Sequence, residues 1–324
     1  MIIIAILILL IEMNILCKIC NKESQFEKIN TYKYSWYYCQ LCKNIFSEKK
    51  KEVFFEKSIL KKIVIILSKI KKISRIKELF LKTEISGSEF YDYTDIINNK
   101  KFNKWDNYDD QFLKYLKDNE IDLTNKSILS ISDEPGFIVK KIKNYSNNII
   151  LTALDEKTAS LMSKKLSVET ITYDFHKDQL FEKTNKKFDV IIYRSCLNFA
   201  LDINKIVNEI SIISNPNAVI VLNFHTPTLS SCLMWMFDDY TMSSFFNSTY
   251  VKNIFKKNKF SCVKEYSVTF NPRKHYYNSV FKKIFYYPFY FFYLLNFILD
   301  KKINKYNFKC NYLEMSSRLI FKKD

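Results

Sequence analysis

The chain has 324 residues and a mass of 38.9 kDa, enough for one large domain and a small additional module. Hydrophobic residues make up 48% of it and aromatic residues 16%, which excludes an intrinsically disordered protein. The formal net charge of +17 arises from lysine in a chain with only four arginines, whereas nucleic-acid grooves favour arginine. The charge is therefore weak evidence for nucleic-acid binding.

The chain opens with ten consecutive apolar residues, Ile2 to Ile11, followed by Glu12. A helix of that length spans ~15 Å, about half of the hydrocarbon core of a bilayer. The run has no basic residues before it and no small-residue cleavage site, so it does not fit a secretory signal peptide. We expect residues 1–12 to lie outside the natural protein, which would start at Met13, with a short membrane-touching anchor as the alternative.

Two pairs of cysteines follow with the spacing C-x2-C-x18-C-x2-C: Cys17, Cys20, Cys39 and Cys42. This spacing is typical of zinc ribbons, in which a hairpin, here at 26–38, brings the two pairs together. Four protein ligands leave no open coordination position, so we expect a structural zinc ion, with a redox pair or unpaired thiols as alternatives. The predicted ribbon covers 13–50. We expect the four scattered cysteines to be small buried side chains in a reducing cytoplasm: Cys196, Cys232, Cys262 and Cys310.

Residues 51–85 are predicted to form a basic amphipathic helix, because apolar residues recur at Ile59, Ile63, Ile66 and Ile70 among many lysines. Such a helix either connects the ribbon to the main domain by packing on it, or lies on an anionic membrane or a partner. Ser86-Gly87-Ser88 marks the predicted start of the main domain, 86–324. A helix at 108–119 would lead into its first strand.

Five β-rich runs then alternate with helical segments: 127–132, 148–154, 168–174, 186–193 and 217–224. This alternation predicts an α/β fold with a parallel sheet and helices on both faces. In such sheets ligands bind at the carboxyl ends of the strands, near the point where the strand order reverses. The first strand-to-helix turn and Asp155, which follows the second strand, would lie there.

The segment ILSISDEPGF at 128–137 resembles the glycine-rich first motif of class I S-adenosylmethionine-dependent methyltransferases. From Cys17 to Lys322 the chain most resembles the subgroup that carries an N-terminal zinc ribbon, and 243–265 resembles that family's helix and sixth strand. The resemblance implies a Rossmann-like, doubly wound sheet whose seventh strand, at about 312–322, is antiparallel, preceded by a small zinc-ribbon module. It also implies S-adenosylmethionine as the cofactor.

The resemblance implies seven cofactor-binding positions: Ser130, Ser132, Glu134, Gly136, Asp155, Asp174 and Phe175. Asp155 matches the acidic residue that binds the ribose hydroxyls, and the pair Asp174-Phe175 matches the residues that line the adenine pocket. Gly136 is the one glycine of the family's first motif that this chain retains. Ser130 stands in place of the acidic residue, and Ser132 and Glu134 stand in place of the other two glycines.

Fewer residues can be assigned to the part of the site that would bind the methyl acceptor. Leu197-Asn198 replaces the Glu-His pair that is common after the fourth strand in the family. His225 follows the fifth strand directly, where it would act as a general base at the rim of the pocket or would only cap a loop.

The expected function is methyl transfer to a sugar, glycan or lipid-linked small-molecule acceptor. The alternatives are a non-catalytic scaffold with a methyltransferase fold and a zinc-ribbon protein that binds nucleic acid. An aromatic insertion at 281–302 contains sixteen uncharged residues, 284–299. As a helix these would span ~24 Å, short of a bilayer core, so we expect peripheral membrane contact of a cytoplasmic protein, with a buried helix as the alternative. Nucleic acid is an unlikely partner, and the oligomeric state stays open.

Overall fold

The computed structural model describes residues 13–30, 34–49, 106–131, 136–194, 196–200, 202–227, 243–269 and 314–324. The predictions for residues 1–12, for the connecting helix at 51–85, for the domain boundary at 86–88 and for the aromatic insertion at 281–302 lie outside these residues.

The N-terminal cysteines lie in an antiparallel sheet whose order is β1-β2-β3-β4-β10. Its strands are β1 (Met13–Leu16), β2 (Glu23–Asn30), β3 (Tyr34–Cys39), β4 (Ile45–Lys49) and the distant β10 (Ser244–Phe245). The predicted hairpin is present, since β2 pairs with β3 from Phe26 opposite Cys39 to Asn30 opposite Ser35.

The second sheet has seven strands and holds the predicted α/β domain. Its strands are β5 (Ile128–Ile131), β6 (Ile149–Ala153), β7 (Glu169–Thr172), β8 (Phe188–Arg194), β9 (Ser214–His225), β11 (Phe260–Thr269) and β12 (Glu314–Lys323). The helices of the described chain are α1 (Asp106–Asp118), α2 (Phe137–Ile142), α3 (Glu156–Leu166), α4 (Leu180–Lys183), α5 (Ile203–Ile213) and α6 (Ser248–Lys257), with a 3-10 turn at Leu197–Phe199.

The strand order of this sheet is β11-β12-β9-β8-β5-β6-β7. The strands from β5 to β9 are parallel to their neighbours, whereas β12 is antiparallel to both β9 and β11. The order therefore reverses between β5 and β8, and only the last strand in the chain runs against the others among the described residues. This is the Rossmann-like sheet with an antiparallel seventh strand, as predicted.

The burial of the strands explains why the sequence folds this way. All four residues of β5 and all five of β6 are buried, because helices cover both faces of the central strands. Helices α1, α2 and α3 pack on one face, through side chains such as Phe112, Ile138 and Met162. Helices α5 and α6 pack on the other face, through side chains such as Ile206 and Phe255. Each such apolar side chain contributes about 1.5–3 kcal/mol on burial.

The ribbon shares its core with the α/β domain. An aromatic group formed by Phe26, Tyr37 and Phe46 belongs to the same buried cluster as Phe246 and Val251 of the domain. Since the sequence places these two groups about 200 residues apart, it predicted only a ribbon preceding the domain. The pairing of β10 with β4 instead makes a segment of the domain the fifth strand of the ribbon sheet.

The scattered cysteines and the lengths of the helices can also be compared with what the sequence predicts. Cys196 is buried, as expected for a small apolar side chain, but Cys262 on the edge strand β11 is exposed, so the expectation was wrong there. Within the ranges described above, no helix is long and apolar enough to span a membrane.

Candidate metal centre and cofactor site

The two cysteine pairs form two turns with the same backbone geometry. In the first turn the Asn21 N–H donates to the Cys17 carbonyl (2.8 Å), and in the second the Lys43 N–H donates to the Cys39 carbonyl (2.9 Å). The residue after each pair has a positive φ, 54° at Asn21 and 59° at Lys43. Each turn therefore presents two thiols from a tight, repeated loop, which is how zinc ribbons build half of a tetrahedral site.

The four sulfurs lie within 4.8 Å of one another, and the Sγ atoms of Cys17 and Cys42 are 3.8 Å apart. A tetrahedral zinc ion with Zn–S bonds of about 2.3 Å separates its sulfurs by about 3.8 Å, so the array has the size that zinc requires. Hydrogen bonds from the thiols of Cys17 and Cys42 hold the pKa of Cys39 well below its ordinary value. A lowered pKa favours the thiolate form of Cys39, which is the form that binds a metal ion.

The first turn of the α/β domain contains Gly136, whose φ of 85° places it in the left-handed region. A Cβ on Gly136 would lie 2.4 Å from Cδ1 of Leu166 and 3.3 Å from Cδ2 of Leu151. The left-handed φ and the close approach of Leu166 and Leu151 both disfavour a side chain at this position. Backbone conformation and packing together account for the glycine, whatever the loop before it binds.

Ser130, which the resemblance aligns with an acidic residue, lies near the end of β5. Its side chain is completely buried, and its Oγ has no hydrogen-bond partner among the described residues. The two other replaced positions of the motif, Ser132 and Glu134, lie outside those residues.

Asp155 follows β6 and caps the N-terminus of α3. Its Oδ1 accepts from the backbone N–H of Thr158 (2.8 Å) and its Oδ2 accepts from the Thr158 hydroxyl (2.9 Å). The carboxylate is half-buried, and a carboxylate has about four acceptor positions, of which Thr158 uses two. Asp155 is thus fixed in orientation by the helix and keeps acceptor positions that Thr158 does not use.

Asp174 and Phe175 lie in the loop that follows β7. Asp174 accepts a hydrogen bond from the backbone N–H of His176 (3.0 Å) and pairs with Lys177 (Nζ to Oδ2, 3.0 Å). Phe175 packs partly buried against the core, and its carbonyl accepts from Nζ of Lys205 (3.0 Å). Both side chains are therefore held at the carboxyl edge of the sheet, beside Asp155.

Two residues of α5 that the sequence did not single out hold this loop. The buried carboxylate of Glu209 accepts from the hydroxyl of Tyr173 (2.6 Å) and from the backbone N–H of Leu180 (3.2 Å). Lys205 donates to the carbonyls of Phe175 and Asp178. Burial, together with the hydrogen bond to Glu209, raises the pKa of Tyr173 above its ordinary value. Both ends of the loop are thereby anchored to one helix.

On the other side of the sheet, Asn198 holds the end of β9. Its Oδ1 accepts from the backbone N–H of His225 (2.7 Å), and its Nδ2 donates to the carbonyls of His225 (2.9 Å) and Ser244 (2.8 Å). Asn198 is fully buried, so all three bonds are made without water. His225 is the last residue of β9, and Asn198, which positions its backbone, is the residue that the resemblance aligns with a histidine.

The first turn of α6 contacts both cysteine turns. The hydroxyl of Tyr250 donates to the carbonyl of Ile19 (2.9 Å) in the first turn, and the backbone N–H of Asn247 donates to Oδ1 of Asn44 (2.6 Å) beside the second. The Ser47 N–H also donates to the carbonyl of Ser243 (2.8 Å). The two cysteine turns are therefore bonded to the same segment, 243–250, that Asn198 joins to β9.

The sheet thus brings the candidate residues to one edge, with Asp155 and Asp174 after β6 and β7 and His225 at the end of β9. A groove of ≈ 320 Å³, lined by Ile121, Thr124 and Tyr145, lies at the opposite, amino-terminal edge of β5 and β6. None of the three candidate residues lines it.

No protein-family model and no curated protein matches this chain. Solved structures similar to it are methyltransferases of the class I fold. A SAM-dependent methyltransferase from Archaeoglobus fulgidus is 15% identical with a TM-score of 0.47, over 69% of this chain and 100% of its own. Magnesium protoporphyrin IX methyltransferase from Synechocystis PCC 6803 with bound SAH is 10% identical with a TM-score of 0.44, over 82% of this chain and 100% of its own. At these scores, the fold assignment rests on the order and direction of the strands.

Proposed function

We propose that this protein is an S-adenosylmethionine-dependent methyltransferase of the subgroup with an N-terminal zinc ribbon. The observation that carries the proposal is a sheet of order β11-β12-β9-β8-β5-β6-β7 with an antiparallel seventh strand and a fixed carboxylate, Asp155, after its second strand. In this proposal the ribbon covers 13–50, a basic connecting helix 51–85 and the catalytic domain 86–324.

The cofactor, when bound, supplies a methyl group on an activated sulfonium, so the protein mainly has to hold the acceptor in line with it. Asp155 would accept the ribose hydroxyls, and the loop with Asp174 and Phe175 would flank the adenine. His225 would remove a proton from an oxygen or nitrogen acceptor at the rim. Ser130, Gly136 and the replaced positions Ser132 and Glu134 would border the cofactor's methionine end.

Calorimetry with S-adenosylmethionine and S-adenosylhomocysteine tests the cofactor. Asn is as good a helix cap as Asp, so Asp155→Asn keeps the stability of α3 but offers the ribose one acceptor oxygen instead of two. We expect its affinity for the cofactor to fall at least about tenfold. The matched control is Ser160→Ala, which changes an exposed residue of α3 and should leave the affinity for the cofactor unchanged. If the wild type binds neither compound, the scaffold alternative replaces the enzyme.

We propose that zinc is bound by Cys17, Cys20, Cys39 and Cys42 and that its role is structural. Elemental analysis of protein purified without added metal should find about one zinc ion per chain. Cys39→Ser should lose it, whereas Cys262→Ser, which changes an exposed cysteine of the edge strand, should not. A wild type without zinc, or an unchanged content in Cys39→Ser, contradicts the proposal.

The acceptor is proposed to be a sugar, glycan or lipid-linked molecule reached from a membrane surface. The support is topological: Thr269 at the end of β11 pairs with Glu314 at the start of β12, and β11 runs parallel to β9. The insertion between them, which contains the aromatic segment 281–302, therefore leaves and re-enters the sheet at the same edge as His225. The protein would then be cytoplasmic with peripheral membrane contact.

Liposome flotation tests this contact. The wild type should float with anionic vesicles, and replacement of Phe289, Phe291 and Phe292 by Ser should release a protein whose far-UV circular dichroism is unchanged. The matched control replaces Val263, which is exposed on β11, by Ser. A wild type that never floats refutes the membrane contact and leaves the cofactor proposal intact.

A further inference from the structure

Asn198 lies where β9 extends beyond the end of its neighbour β8. Strand β8 ends at Arg194, which pairs with Asn223, and β9 continues from there to His225. The amide of Asn198, in the turn that follows β8, accepts from the His225 N–H (2.7 Å) and donates to the His225 carbonyl (2.9 Å). These are the two groups that a neighbouring strand would bond. Asn198 therefore takes the place of β8 at the end of β9 and fixes the backbone that carries the imidazole.

The same amide is bonded to the ribbon sheet. Its Nδ2 also donates to the carbonyl of Ser244 (2.8 Å), the first residue of β10. Two further bonds hold this strand against the turn: the Ser243 N–H donates to the Asn198 carbonyl (2.8 Å), and the Ser244 hydroxyl donates to the Ala200 carbonyl (2.6 Å). Asn198 and Ser244 are completely buried. A shift of β10 must therefore either break buried hydrogen bonds, which is costly, or move Asn198 with it.

The second cysteine turn sets the position of β10 through β4. Strand β10 has two residues, and they pair with Phe46 and Ile45 of β4. The residue that joins the turn to β4 is Asn44, whose carbonyl accepts from the Cys39 N–H (2.9 Å). Residues 44–46 and both residues of β10 are buried. A path of buried, bonded groups thus runs from the cysteines to the end of β9, and small metal modules depend on their ion for order.

Asparagine suits this position better than the residues that resemble it. Its amide has an acceptor oxygen and two N–H donors, and the oxygen and both donors are bonded here. A neutral histidine, which the resemblance aligns with Asn198, has one donor and one acceptor, so it would lose one of the two carbonyls. An aspartate would accept from the His225 N–H but would place its second oxygen against both carbonyls. The chain therefore has, at this point, a side chain that joins β9 and the ribbon sheet at once.

We propose that Asn198 is a positioning residue that couples the ribbon to His225, so that metal loading of the ribbon controls the part of the site that binds the methyl acceptor. This rests on the proposed zinc site and on the proposed methyltransferase function, in which His225 is the base. In the metal-loaded protein β4 holds β10, and Asn198 holds the end of β9 against it. In the metal-free protein β10 loses its ordered partner, and Asn198 and His225 leave their positions while β5, β6 and β7 keep theirs.

Hydrogen exchange in the intact protein tests the coupling. Zinc is removed with a chelator, and exchange is followed by NMR at the amides of His225, of Val221 in the middle of β9 and of Leu151 in β6. We expect exchange to accelerate at least about tenfold at His225, because its buried bond to Asn198 is released, and to stay unchanged at the other two amides. Equal acceleration at all three would mean that the metal stabilises the whole fold, and no acceleration would mean that the ribbon and β9 are independent. Either result overturns the proposal.

The imidazole of His225 reports the consequence for the base. The chain has three histidines, and the imidazole signals missing from His225→Gln identify those of His225 in the nitrogen-edited spectrum. Removal of zinc should shift these signals, and Asn198→Ala should shift them in the same direction while zinc is bound. Signals that do not respond to zinc in the wild type would show that the base is not controlled by the ribbon, and this measurement decides the proposal even if Asn198→Ala does not fold.

A matched pair of asparagine variants tests the residue itself. In Asn198→Ala the His225 amide should exchange rapidly with zinc bound, and removal of zinc should have no further effect, because the link is already absent. Asn208→Ala makes the same change at an exposed position of α5 and should keep the full response to zinc. A full response in Asn198→Ala would mean that another path carries the coupling and would overturn the role of Asn198.

Calorimetry on the same samples separates this proposal from the cofactor proposal. S-adenosylmethionine should bind equally well with and without zinc, because Asp155 and Asp174 are held by bonds within the α/β domain. An affinity that falls with the metal would mean that the ribbon shapes the whole site, and it would overturn control of the acceptor side while the methyltransferase function stands. If His225 responds to zinc but no sample binds S-adenosylmethionine or S-adenosylhomocysteine, control of an acceptor site falls together with the methyltransferase function.

Discussion

Replacement of Gly136 by alanine tests why the first motif keeps this glycine. At a φ of 85° an alanine costs about 1–2 kcal/mol relative to glycine, because its Cβ approaches the neighbouring carbonyl. The Cβ would also lie 2.4 Å from Cδ1 of Leu166, and overpacking of that kind costs about 1–3 kcal/mol. We therefore expect Gly136→Ala to lower the free energy of unfolding by about 2–4 kcal/mol.

A double-mutant cycle separates the two contributions. Leu166→Ala removes the overlapping atom, at a cost of about 2–5 kcal/mol for the cavity. In that background Gly136→Ala should cost only the backbone part, about 1–2 kcal/mol, so that the cycle shows a coupling of about 1–3 kcal/mol. Urea denaturation followed by circular dichroism measures all four proteins. A cost below about 1 kcal/mol for the single change, or an additive cycle, refutes the explanation by core packing.

Four further predictions concern other parts of the fold. Asn198→Ala should lower the free energy of unfolding by about 3–5 kcal/mol, because three hydrogen bonds to backbone groups of His225 and Ser244 are lost, and a loss under about 1 kcal/mol in urea denaturation would contradict this role of Asn198. Ser130→Ala should be neutral or stabilising by up to about 1 kcal/mol, since a buried unpaired hydroxyl is removed, and clear destabilisation would reveal a partner. Chelation of zinc should speed amide exchange at Asn247 more than in β6, and equal rates would show that the ribbon and α6 are uncoupled. Partial burial opposes ionisation of Asp189, but hydrogen bonds from Ser127 and from a neighbouring amide outweigh it and lower its pKa. A depressed carboxyl pKa stabilises the fold above ~pH 4, and that contribution is lost as the pH falls. Asp189→Asn should therefore lower the free energy of unfolding by about 1 kcal/mol at pH 7, and the difference between variant and wild type should shrink in acid. A difference that grows in acid would contradict this prediction.

The sequence determined the parts of this protein that depend on local pattern. The strands in the runs at 148–154 and 186–193 are mostly apolar and are flanked by helical segments, and strands buried on both faces favour that composition. The cysteine spacing likewise fixes the size of two turns, and the four sulfurs meet as predicted. Asp155 was placed correctly after the second strand because strand ends are marked by the change from apolar to polar residues.

Only the tertiary structure decided which distant groups meet. Nothing near Asn198 in the chain indicates that its amide joins the end of β9 to a strand of the ribbon sheet, since its partners lie 27 and 46 residues away. The same holds for the contact of Gly136 with Leu166 and for the alignment of Arg194 of β8 with Arg318 of β12 across Asn223 of β9, which depends on the register of three strands. A local pattern specifies how a segment folds and which of its faces is apolar. The partner that covers this face depends on strand order and register, which the whole chain settles through burial and hydrogen bonding.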